Sequence, residues 1–332
     1  MRSIDKVWLV VLNWRNGKDT VDCLQSAYSV ARDELAGIVL CDNASGDDSI
    51  ERVTQWAVSN NVTLQSLAWD NQQFHPPHNK RQLTTSEGTI PLVLIQTGAN
   101  YGFAGGNNVG LRYLQECCDF DYAFLLNNDA LLTTGAVNYM VARFKQAPNI
   151  GMCGCTVIYN HTPTQVQALG GARYQPWIGR SQHIGAHTAA EAPREISLVE
   201  SQLDYILGAA LMISRPCLNK IGLMDESYFL YYEEIDWATR AKRAGFTLAY
   251  SPDAVVFHKE GGTIGSSSAG NKRSLLSEYY LVRSRVAFTR KFYPQFLLTT
   301  IAFTLAQGAR ALLAHDFKRF AVRLKAILGV PL

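Results

Sequence analysis

The sequence predicts an α/β fold, a Rossmann-like, doubly wound and mostly parallel sheet with a helical appendage at its C-terminal end. Short apolar runs alternate with helical patterns through the first half of the chain. These runs are continuously apolar rather than alternating in polarity, which is typical of strands that are covered on both faces. Of the 332 residues, 47% are hydrophobic and 18% are charged, so a packed globular core is expected.

The first half contains four predicted strands, each followed by a predicted helix. The strands are expected at residues 7–12, 37–41, 91–95 and 122–126, and the helices at about 18–32, 48–60, 104–116 and 134–146. Strands and helices in this alternation form parallel sheets with right-handed crossovers. Residues 68–90 interrupt the pattern with polar residues and prolines, and we interpret them as a surface insertion.

The second half departs from regular alternation. Its strands are expected to join the sheet without regular crossover helices, and Gly245 is the expected C-cap of a helix. The predicted elements are a strand at 152–159, a loop-rich stretch to about 202, a strand within 204–213, a helix at 233–244, and short strands at 247–250 and 254–258.

A stretch rich in Gly and Ser at 261–268 precedes a basic tail, so we expect a main domain at residues 1–270 and a tail at 271–332. The tail carries eleven Lys and Arg residues against two acidic residues, a net charge of +9, which leaves −6 for the main domain. Because no basic field covers the main domain, the charge pattern argues against a nucleic-acid-binding protein.

The cysteines and the N-terminal segment indicate a cytoplasmic protein. The seven cysteines form neither a C-x-x-C pair nor a zinc-finger spacing, so buried or free thiols in a reducing compartment are expected. The first residues lack the long apolar region and cleavage site of an export signal.

Sheets of this kind bind ligands at the carboxyl ends of their parallel strands, so residues that follow the strands are candidates for a site. Asp129 leaves the fourth strand, where it would either ligate Mg²⁺ or Mn²⁺ or cap the next helix. His258 ends a late strand and is either a second ligand or a hydrogen-bonded structural residue. Asp42 follows the second strand and would accept from a nucleobase or ribose, or else close an Asx turn.

Residues 100–108 form a glycine-rich segment before a predicted helix, and its backbone amides could approach a polar ligand. The segment is not a G-x-G-x-x-G fingerprint, and a Walker A sequence is absent from the chain. Both observations argue against a dehydrogenase and a P-loop NTPase.

Three acidic residues, Glu233, Glu234 and Asp236, open the predicted helix at 233–244. Carboxylates in a first turn are stabilised by the helix dipole, which alone would explain them. An ionised carboxylate that faces an acceptor hydroxyl is also a general base. Glu234 is turned by about 100° from Glu233, so only one is expected to face the reacting hydroxyl.

In their order along the chain, these segments resemble family 2 inverting glycosyltransferases of the GT-A fold, and within them the rhamnosyltransferase-like group of bacterial surface polysaccharide synthesis. The resemblance covers about residues 6–265. It is carried by Val-Val-Leu-Asn-Trp (10–14), Cys-Asp-Asn-Ala-Ser (41–45), Asn-Tyr-Gly-Phe-Ala-Gly-Gly-Asn-Asn (100–108), Leu-Leu-Asn-Asn-Asp (125–129), Gly-Ala (208–209), the acidic and aromatic segment 222–237, Arg240, Gly245 and His258.

The resemblance also implies roles for individual residues. Carried over, the nucleotide-binding residues are Leu12, Asn13, Asp42, Asn100, Gly105, Asn108, Asn127 and Asn128, the metal ligands are Asp129 and His258, and the residues of the catalytic helix are Glu234, Asp236 and Arg240. Glu234 is implied as the base, with Asp236 and Arg240 organising its helix. Two motifs depart from the family, because its Asp-x-Asp reads Asn-Asn-Asp here and its Glu-Asp pair reads Glu-Glu.

The implied activity is metal-dependent, inverting transfer of a sugar, with rhamnose from dTDP-rhamnose as the leading donor and a UDP-linked sugar as an alternative. The implied acceptor is a hydroxyl of a lipid-linked glycan. Two other functions use similar residues. A non-catalytic sugar-nucleotide or glycan-binding protein would need Asp42 but not Glu234, and a sugar nucleotidyltransferase would release pyrophosphate rather than a nucleoside diphosphate.

The basic tail is expected to associate with a membrane surface. Its apolar segment 296–306 is shorter than the ~20 residues that span a bilayer. Beyond it, one helical stripe is predicted from apolar residues at steps of three and four, namely Leu313, Phe317, Phe320, Leu324 and Ile327. This pattern favours an interfacial helix on anionic lipid at the inner face of the cytoplasmic membrane, and the alternative is a helix packed on protein.

Overall fold

The computed structural model describes residues 5–75, 90–259 and 273–332. The first half contains, in order, β1 (Val7–Asn13), α1 (Gly17–Val30), β2 (Gly37–Asp42), α2 (Ser49–Ser59), β3 (Leu64–Trp69), β4 (Phe74–His75), β5 (Leu92–Gln96), α3 (Gly102–Cys117), β6 (Tyr122–Asn127), β7 (Ala130–Leu132) and α4 (Ala136–Phe144). The second half contains β8 (Ile150–Tyr159), β9 (Val166–Leu169), β10 (Gly171–Gln175), β11 (Arg180–His183), α5 (Ile196–Glu200), β12 (Tyr205–Ile206), β13 (Ala210–Ser214), α6 (Arg215–Ile221), α7 (Glu233–Arg243), β14 (Thr247–His258), α8 (Leu275–Phe292), α9 (Leu297–Leu313) and α10 (Phe317–Leu328).

Within the described residues, one mixed sheet of eleven strands runs through the molecule in the order β4-β3-β5-β2-β1-β6-β13-β8-β14-β7, with β9 beside β8. The strands β3, β5, β2, β1 and β6 are parallel, and β13 is antiparallel to both of its neighbours. Helices cover both faces, with α1, α2 and α4 on one core and α3, α6 and α7 on the other. The predicted α/β class, with its mostly parallel sheet, is therefore confirmed.

The apolar runs form strands because both faces of the sheet are covered. In β2 every residue from Gly37 to Asp42 is buried, and β1 is buried in the same way apart from Trp8 and Leu12. The register sets Asn13 of β1 opposite Asp42 of β2, so the polar residues that end these strands lie side by side.

The strand β3 was not predicted, and part of the proposed insertion at 68–90 is a strand instead. Gln65 and Ser66 interrupt its apolar sequence, yet β3 pairs in parallel with β5 along its length. The chain then turns so that Phe74 packs on Trp69, with ring centroids 4.6 Å apart. Residues 76–89 of the predicted insertion lie outside the described residues.

Two predictions for the second half need correction. The stretch expected to be loop-rich contains a small antiparallel sheet of β11, β10 and β12. The two short strands expected after Gly245 are one strand, β14, with an irregular register between Ser251 and Val255. The helix expected at 233–244 is α7, and Gly245 follows it with a φ of 92°.

The helices α8, α9 and α10 pack on one another, and α8 also packs on the segment that precedes α7. Ser284 Oγ donates to Leu230 O at 2.9 Å, and the hydroxyl groups of Tyr231 and Ser277 are 2.6 Å apart. The proposed boundary near residue 270 lies outside the described residues. The tail is nevertheless not separate, because α8 contributes contacts to the main body.

The tail differs from its prediction in two further respects. The helical segment Pro294–Leu313 has 20 residues and a mean hydropathy of 1.4, which is long and apolar enough to cross a membrane by length and composition. The apolar segment expected at 296–306 is therefore part of a longer helical segment, and its predicted length was too short. The predicted stripe from Leu313 to Ile327 is also broken, because α9 ends at Leu313 and Asp316 caps a new helix.

Candidate active site

The ends of β1 and β2 carry a buried polar cluster. Asn13 Nδ2 donates to Asp42 Oδ1 at 2.7 Å and to Ser45 Oγ at 2.9 Å. Ser45 N donates to Asp42 Oδ2 at 3.1 Å, which is the Asx turn that the sequence left as an alternative. The carboxylate of Asp42 is thus fixed in orientation and keeps lone pairs for a donor such as a nucleobase N–H.

Asn128 lies in the same cluster, and its side-chain amide bonds to other residues of the cluster. Its Nδ2 donates to Thr20 Oγ1 at 2.9 Å and to Asn13 Oδ1 at 3.2 Å. Asn128 is buried, so these bonds satisfy a side chain that water does not reach. Asn128 therefore connects β6 to β1 and α1.

Asp129 and His258 meet at the end of β6, because β14 pairs with β7 so that His258 lies opposite Ala130. Asp129 Oδ1 is 3.0 Å from His258 Nε2, and both side chains are buried. Burial alone would raise the pKa of Asp129, but the hydrogen bond and charge of His258 outweigh it, so this pKa lies below its ordinary value. Asp129 is a carboxylate at neutral pH.

The second nitrogen of His258 has its own partner. His258 Nδ1 is 2.8 Å from Gln167 Oε1, and Gln167 is buried on β9. An amide oxygen can only accept, so Nδ1 carries a proton; Nε2 is the nitrogen that donates to the Asp129 carboxylate, and in exchange for that proton it could bind a metal ion. Asn127 Nδ2 is 3.4 Å from the same Nε2.

These residues fit a divalent cation that also binds a diphosphate. Carboxylate and imidazole are both ligands of Mn²⁺, and Mg²⁺ is usually held by one or two carboxylates together with substrate phosphates. A group of three His, Cys, Asp or Glu ligands was not found among the described residues. Asp129 and His258 could supply two protein ligands to such a cation, and Gln167 accepts the hydrogen bond that orients the imidazole.

The glycine-rich segment is mostly helix rather than loop. Gly102 begins α3 with a φ of 70°, and a side chain there would collide with Phe229 O. A side chain at Gly105 would approach Tyr101 Cβ, and one at Gly106 would collide with Leu12, whose side chain lies at the end of β1. These glycines let α3 approach its neighbours closely.

Asn108 bonds to the segment that precedes α7. It is fully buried in α3, where its Oδ1 accepts from Met224 N at 3.0 Å and its Nδ2 donates to Met224 O and Glu226 Oε1 at 2.9 Å. Asn108 thus holds the segment before α7 against α3. Asn100 lies closer to Asp42, where its Oδ1 accepts from Asn43 Nδ2 at 3.0 Å.

Glu234 lies at the same edge of the sheet as Asp129. A side chain at Gly208 would collide with the carboxylate of Glu234, and the next residue, Ala209, accepts from Asn127 N at 3.0 Å. Burial raises the pKa of Glu234 to about 7, although hydrogen bonds from the backbone N–H groups of Glu234 and Gly208 oppose this. Glu234 is half-buried, so its side chain keeps some contact with solvent.

Glu233 points into the protein instead. It is 2% exposed, and its Oε2 has no hydrogen-bond partner among the described residues. Burial and the neighbouring Glu234 carboxylate raise the pKa of Glu233 well above its ordinary value. Of the two glutamates, Glu234 is the one able to reach a ligand.

The two residues before Glu233 are held in an unusual backbone conformation. Tyr231 and Tyr232 have φ values of 66° and 74°, the left-handed region that bulky side chains rarely adopt. Tyr232 donates its hydroxyl to Gly179 O and packs on Phe288 of α8. Strain of this kind persists where surrounding contacts hold it, as it does here at the start of α7.

Asp236 and Arg240 bond to each other and join α7 to neighbouring segments. Asp236 is fully buried, with Oδ1 2.6 Å from Arg240 Nε and Oδ2 2.6 Å from Lys291 Nζ. Arg240 also donates to Leu223 O at 2.9 Å. The described contacts of both side chains are thus with the protein itself, as expected of residues that organise this helix.

Sequence reasoning missed three residues of this region. Gln167 lies in the stretch where no motif was found, Asn43 was passed over as part of a turn, and Lys291 was counted only as a charge of the tail. A polar residue in a buried run could have pointed to Gln167, since β9 is otherwise apolar.

The chain matches the family described as "Glycosyltransferase like family 2" over residues 81–275, more than half of its length. It is 26% identical over 172 residues to a low-salt glycan biosynthesis hexosyltransferase of Haloferax volcanii, covering 50% of this chain and 51% of that protein. It is 22% identical over 243 residues to an N-acetylglucosaminyl-diphospho-decaprenol L-rhamnosyltransferase of Mycobacterium tuberculosis, covering 69% and 76%. The chain thus spans about half the length of the first relative and three quarters of the second.

Two solved structures share the fold at low identity. A mannosyltransferase of Pyrobaculum calidifontis, solved with GDP-Man and Mn²⁺, aligns with a TM-score of 0.57 and 14% identity over 99% of this chain and 88% of its own. GalNAc-T7, solved with UDP, GalNAc and Mn²⁺, aligns with a TM-score of 0.61 and 13% identity over 99% and 57%. Both are GT-A glycosyltransferases, and this protein, with the same architecture, belongs to glycosyltransferase family 2.

Proposed function

We propose that the protein transfers a sugar from a nucleoside diphosphate donor to an acceptor hydroxyl in a single displacement that inverts the anomeric carbon. The observation that carries this proposal is the position of Glu234 against Gly208, one residue from the hydrogen bond between Ala209 O and Asn127 N at the end of β6. This position supports the proposal because it sets a candidate base beside the end of β6, where the proposed diphosphate-binding residues lie.

Glu234 removes the acceptor proton while the hydroxyl oxygen attacks the anomeric carbon. A base whose pKa lies near the working pH combines the ionised form with enough basicity to accept a proton. Asp42, held by Ser45 and Asn13, accepts from the nucleobase. A divalent cation, Mg²⁺ or Mn²⁺, held by Asp129 and His258, would offset the negative charge on the nucleoside diphosphate as it leaves.

Rhamnose from dTDP-rhamnose is the proposed donor sugar, and the proposed acceptor is a lipid-linked glycan of bacterial surface polysaccharide synthesis. Support comes from the mycobacterial relative, which is an L-rhamnosyltransferase named for a diphospho-decaprenol compound, and from the haloarchaeal hexosyltransferase. With such an acceptor the enzyme works at the cytoplasmic face of the membrane.

Glu234→Gln tests the proposal. The amide keeps the shape of the side chain but cannot take a proton, so turnover should fall by about 10²–10⁴-fold. Donor binding with Mn²⁺, measured by thermal shift, should remain, since a ligand at 100 times its Kd adds about 2.7 kcal/mol of stability. Glu191→Gln is the matched control, because Glu191 is an exposed glutamate outside the proposed site.

The released product separates the alternatives. Release of nucleoside diphosphate with the wild-type protein supports transfer, whereas release of pyrophosphate would identify a nucleotidyltransferase. Donor binding without any product, unchanged by Glu234→Gln, would indicate a non-catalytic binding protein.

A further inference from the structure

The helix α9 has its apolar and polar faces reversed relative to a helix on a water-soluble surface. Its buried residues are Thr300, Thr304, Gly308 and Ala311, whereas Leu298 is 80% and Leu313 83% exposed. At about 100° per residue, the exposed leucines lie within one narrow arc opposite the buried threonines. A face of this kind is costly in water and indicates an apolar contact.

The reversed orientation is fixed by a buried cation. Arg285 of α8 is 6% exposed and lies close to the polar face of α9, with Nη1 3.3 Å from Gln307 Oε1 and 3.4 Å from Thr304 Oγ1. Turning α9 over would remove these oxygens from a buried guanidinium. The outward position of Leu298 and Leu313 is therefore built into the packing.

An exposed tryptophan extends this apolar surface. Trp177 is 55% exposed, and Thr299 Oγ1 of α9 donates to its carbonyl at 2.6 Å. Tryptophan favours the boundary between water and lipid, because its ring is apolar and its N–H is polar. Trp177 thus lies beside the start of α9 and belongs to the same surface.

The helix α10 continues the surface with cations along its side. Phe317, Leu324 and Leu328 are exposed on one line of the helix, and Lys318 and Lys325 flank that line. The sequences of α9 and α10 contain no acidic residue. The cations of α10 that face inward have acidic partners: Glu278 pairs with Arg319 and Arg323 at 2.9 and 2.5 Å, and Asp316 pairs with Arg319 at 3.2 Å.

We propose that this surface docks on an anionic lipid bilayer, with α9 and α10 lying in the plane of the interface. We call it the outer face, and its residues are Trp177, Leu298, Leu305, Leu313, Phe317, Leu324 and Leu328. The proposal rests on the proposed function in one respect, since a lipid-linked acceptor explains why the enzyme needs a membrane. Exposed leucines bury into the acyl boundary, and the flanking lysines attract anionic headgroups.

Charge and packing favour lipid over the other occupants. A second copy of this chain on the outer face would bring Lys318 and Lys325 towards cations of the same sign. A membrane-spanning α9 would either carry Arg285 into the hydrocarbon together with Thr300 and Thr304, or separate these threonines from Arg285. Placing a cation in hydrocarbon or leaving its polar partners unpaired there costs free energy.

The outer face is close to the catalytic helix. Trp177 lies on the turn whose Gly179 carbonyl accepts the hydroxyl of Tyr232, the residue before Glu233. Docking through Trp177 thus sets the start of α7 near the membrane surface, where a lipid-linked hydroxyl is found.

The test uses the full-length protein and vesicles of phosphatidylcholine with or without phosphatidylglycerol. Leu298→Asp combined with Leu305→Asp should lower the fraction that sediments with vesicles by about tenfold or more. Val58→Asp on α2, also at an exposed apolar residue, is the matched control and should have no effect. Lys318→Gln and Lys325→Gln should each weaken binding to phosphatidylglycerol vesicles by about fivefold.

A spectroscopic measurement locates the surface. Brominated lipids should quench part of the tryptophan fluorescence of the wild-type protein, and Trp177→Phe should remove that quenching. Failure of the wild-type protein to sediment with either vesicle would overturn the proposal. The proposal is also overturned if Val58→Asp lowers sedimentation as much as the leucine substitutions do. Dissociation of a dimer by the leucine substitutions would show that a second copy of the chain covers the outer face. Protein that stays in cell membranes during alkaline carbonate extraction would show that it spans the bilayer.

The controls separate this inference from the proposed function. The outer-face variants should retain donor binding and transfer to a soluble acceptor analogue. If they lose vesicle binding as expected while the wild-type protein releases no nucleoside diphosphate from any donor, the docking surface stands and the proposed function fails.

Discussion

Lys291 of α8 lies 2.6 Å from Asp236 of α7 and 2.6 Å from Asp225, joining the C-terminal helices to the helix that carries Glu234. Asp236 is fully buried and Asp225 is partly buried, so the lysine neutralises two carboxylates that water solvates poorly. Burial alone would lower the pKa of Lys291, but these two hydrogen bonds outweigh it and the pKa is raised.

Lys291→Met should reduce both stability and turnover. Removing one partner of a buried ion pair costs about 3–5 kcal/mol of stability. The cost here is about 1–3 kcal/mol, because Lys291 is partly exposed and Asp236 keeps Arg240 as a partner. Chemical denaturation measures this loss, and Lys220→Met on the surface of α6 is the control. If Lys291 positions α7, kcat should fall more than the donor KM rises. Lys291→Arg keeps the charge and should restore much of the lost kcat. Equal changes in kcat and KM would contradict a positioning role for Lys291.

Transfer should depend on pH through Glu234. Since the base works only when ionised, kcat/KM should fall as the pH drops through about 7, following the raised pKa of this carboxyl group. A pH profile of the initial rate between pH 5 and 9 measures this. A profile that stays flat down to pH 5 would show that another group, with an ordinary pKa, takes the proton.

Glu233→Gln should stabilise the protein, and more so at high pH. A carboxyl group whose pKa is higher in the folded state binds more protons there, so the wild-type free energy of unfolding decreases as the pH rises from about 4.3. The amide removes this penalty, and the variant should gain roughly 1–3 kcal/mol over the wild type at pH 8 and much less at pH 5. Denaturation of both proteins at the two pH values is the measurement, and an equal difference at both would contradict burial of an ionisable Glu233.

Gln167→Leu should weaken metal binding without unfolding the protein. The substitution removes the acceptor that keeps a proton on His258 Nδ1 and orients the ring, so Nε2 is no longer held as the nitrogen that is available to a metal ion. Loss of such an outer hydrogen bond costs about 10–100-fold in metal affinity. Titration with Mn²⁺, followed by electron paramagnetic resonance, gives the Kd for the metal. Gln182→Leu on β11 is the control. A change of less than twofold in this Kd for Gln167→Leu would argue against an orienting role for Gln167.

The fold was predictable because its signals are local. Each strand of the parallel half is one apolar run, as in Val7–Asn13, and the glycine and acidic residues around α7 mark its ends. The strand β3 escaped prediction because Gln65 and Ser66 lie in it, and only its pairing with β5 stabilises the extended chain. A stretch with mixed polarity reveals its structure through partners that are distant in sequence.

The candidate site was predictable where it follows strand ends and not where it depends on packing. Asp42, Asp129 and Glu234 follow from position and resemblance, whereas Gln167 and Lys291 act through contacts 91 and 55 residues away in sequence. Asn108 adds a contact that its motif did not predict, since its side chain bonds to the backbone of Met224. Sequence patterns record which residues are near one another along the chain, and the remaining information lies in the packing.

The contacts of α8 limit how this protein can be shortened for expression or crystallisation. The α8 side chains of Ser277, Ser284 and Lys291 each bond to a residue within 225–236. A fragment that stops near residue 270 would therefore lose the contacts that hold the segment carrying Glu234. Cutting after Phe292 keeps these three bonds but uncovers Arg285 and the apolar side chains that Val322 and Ala326 shield. A soluble form is better sought by replacing outward leucines one at a time than by trimming the chain.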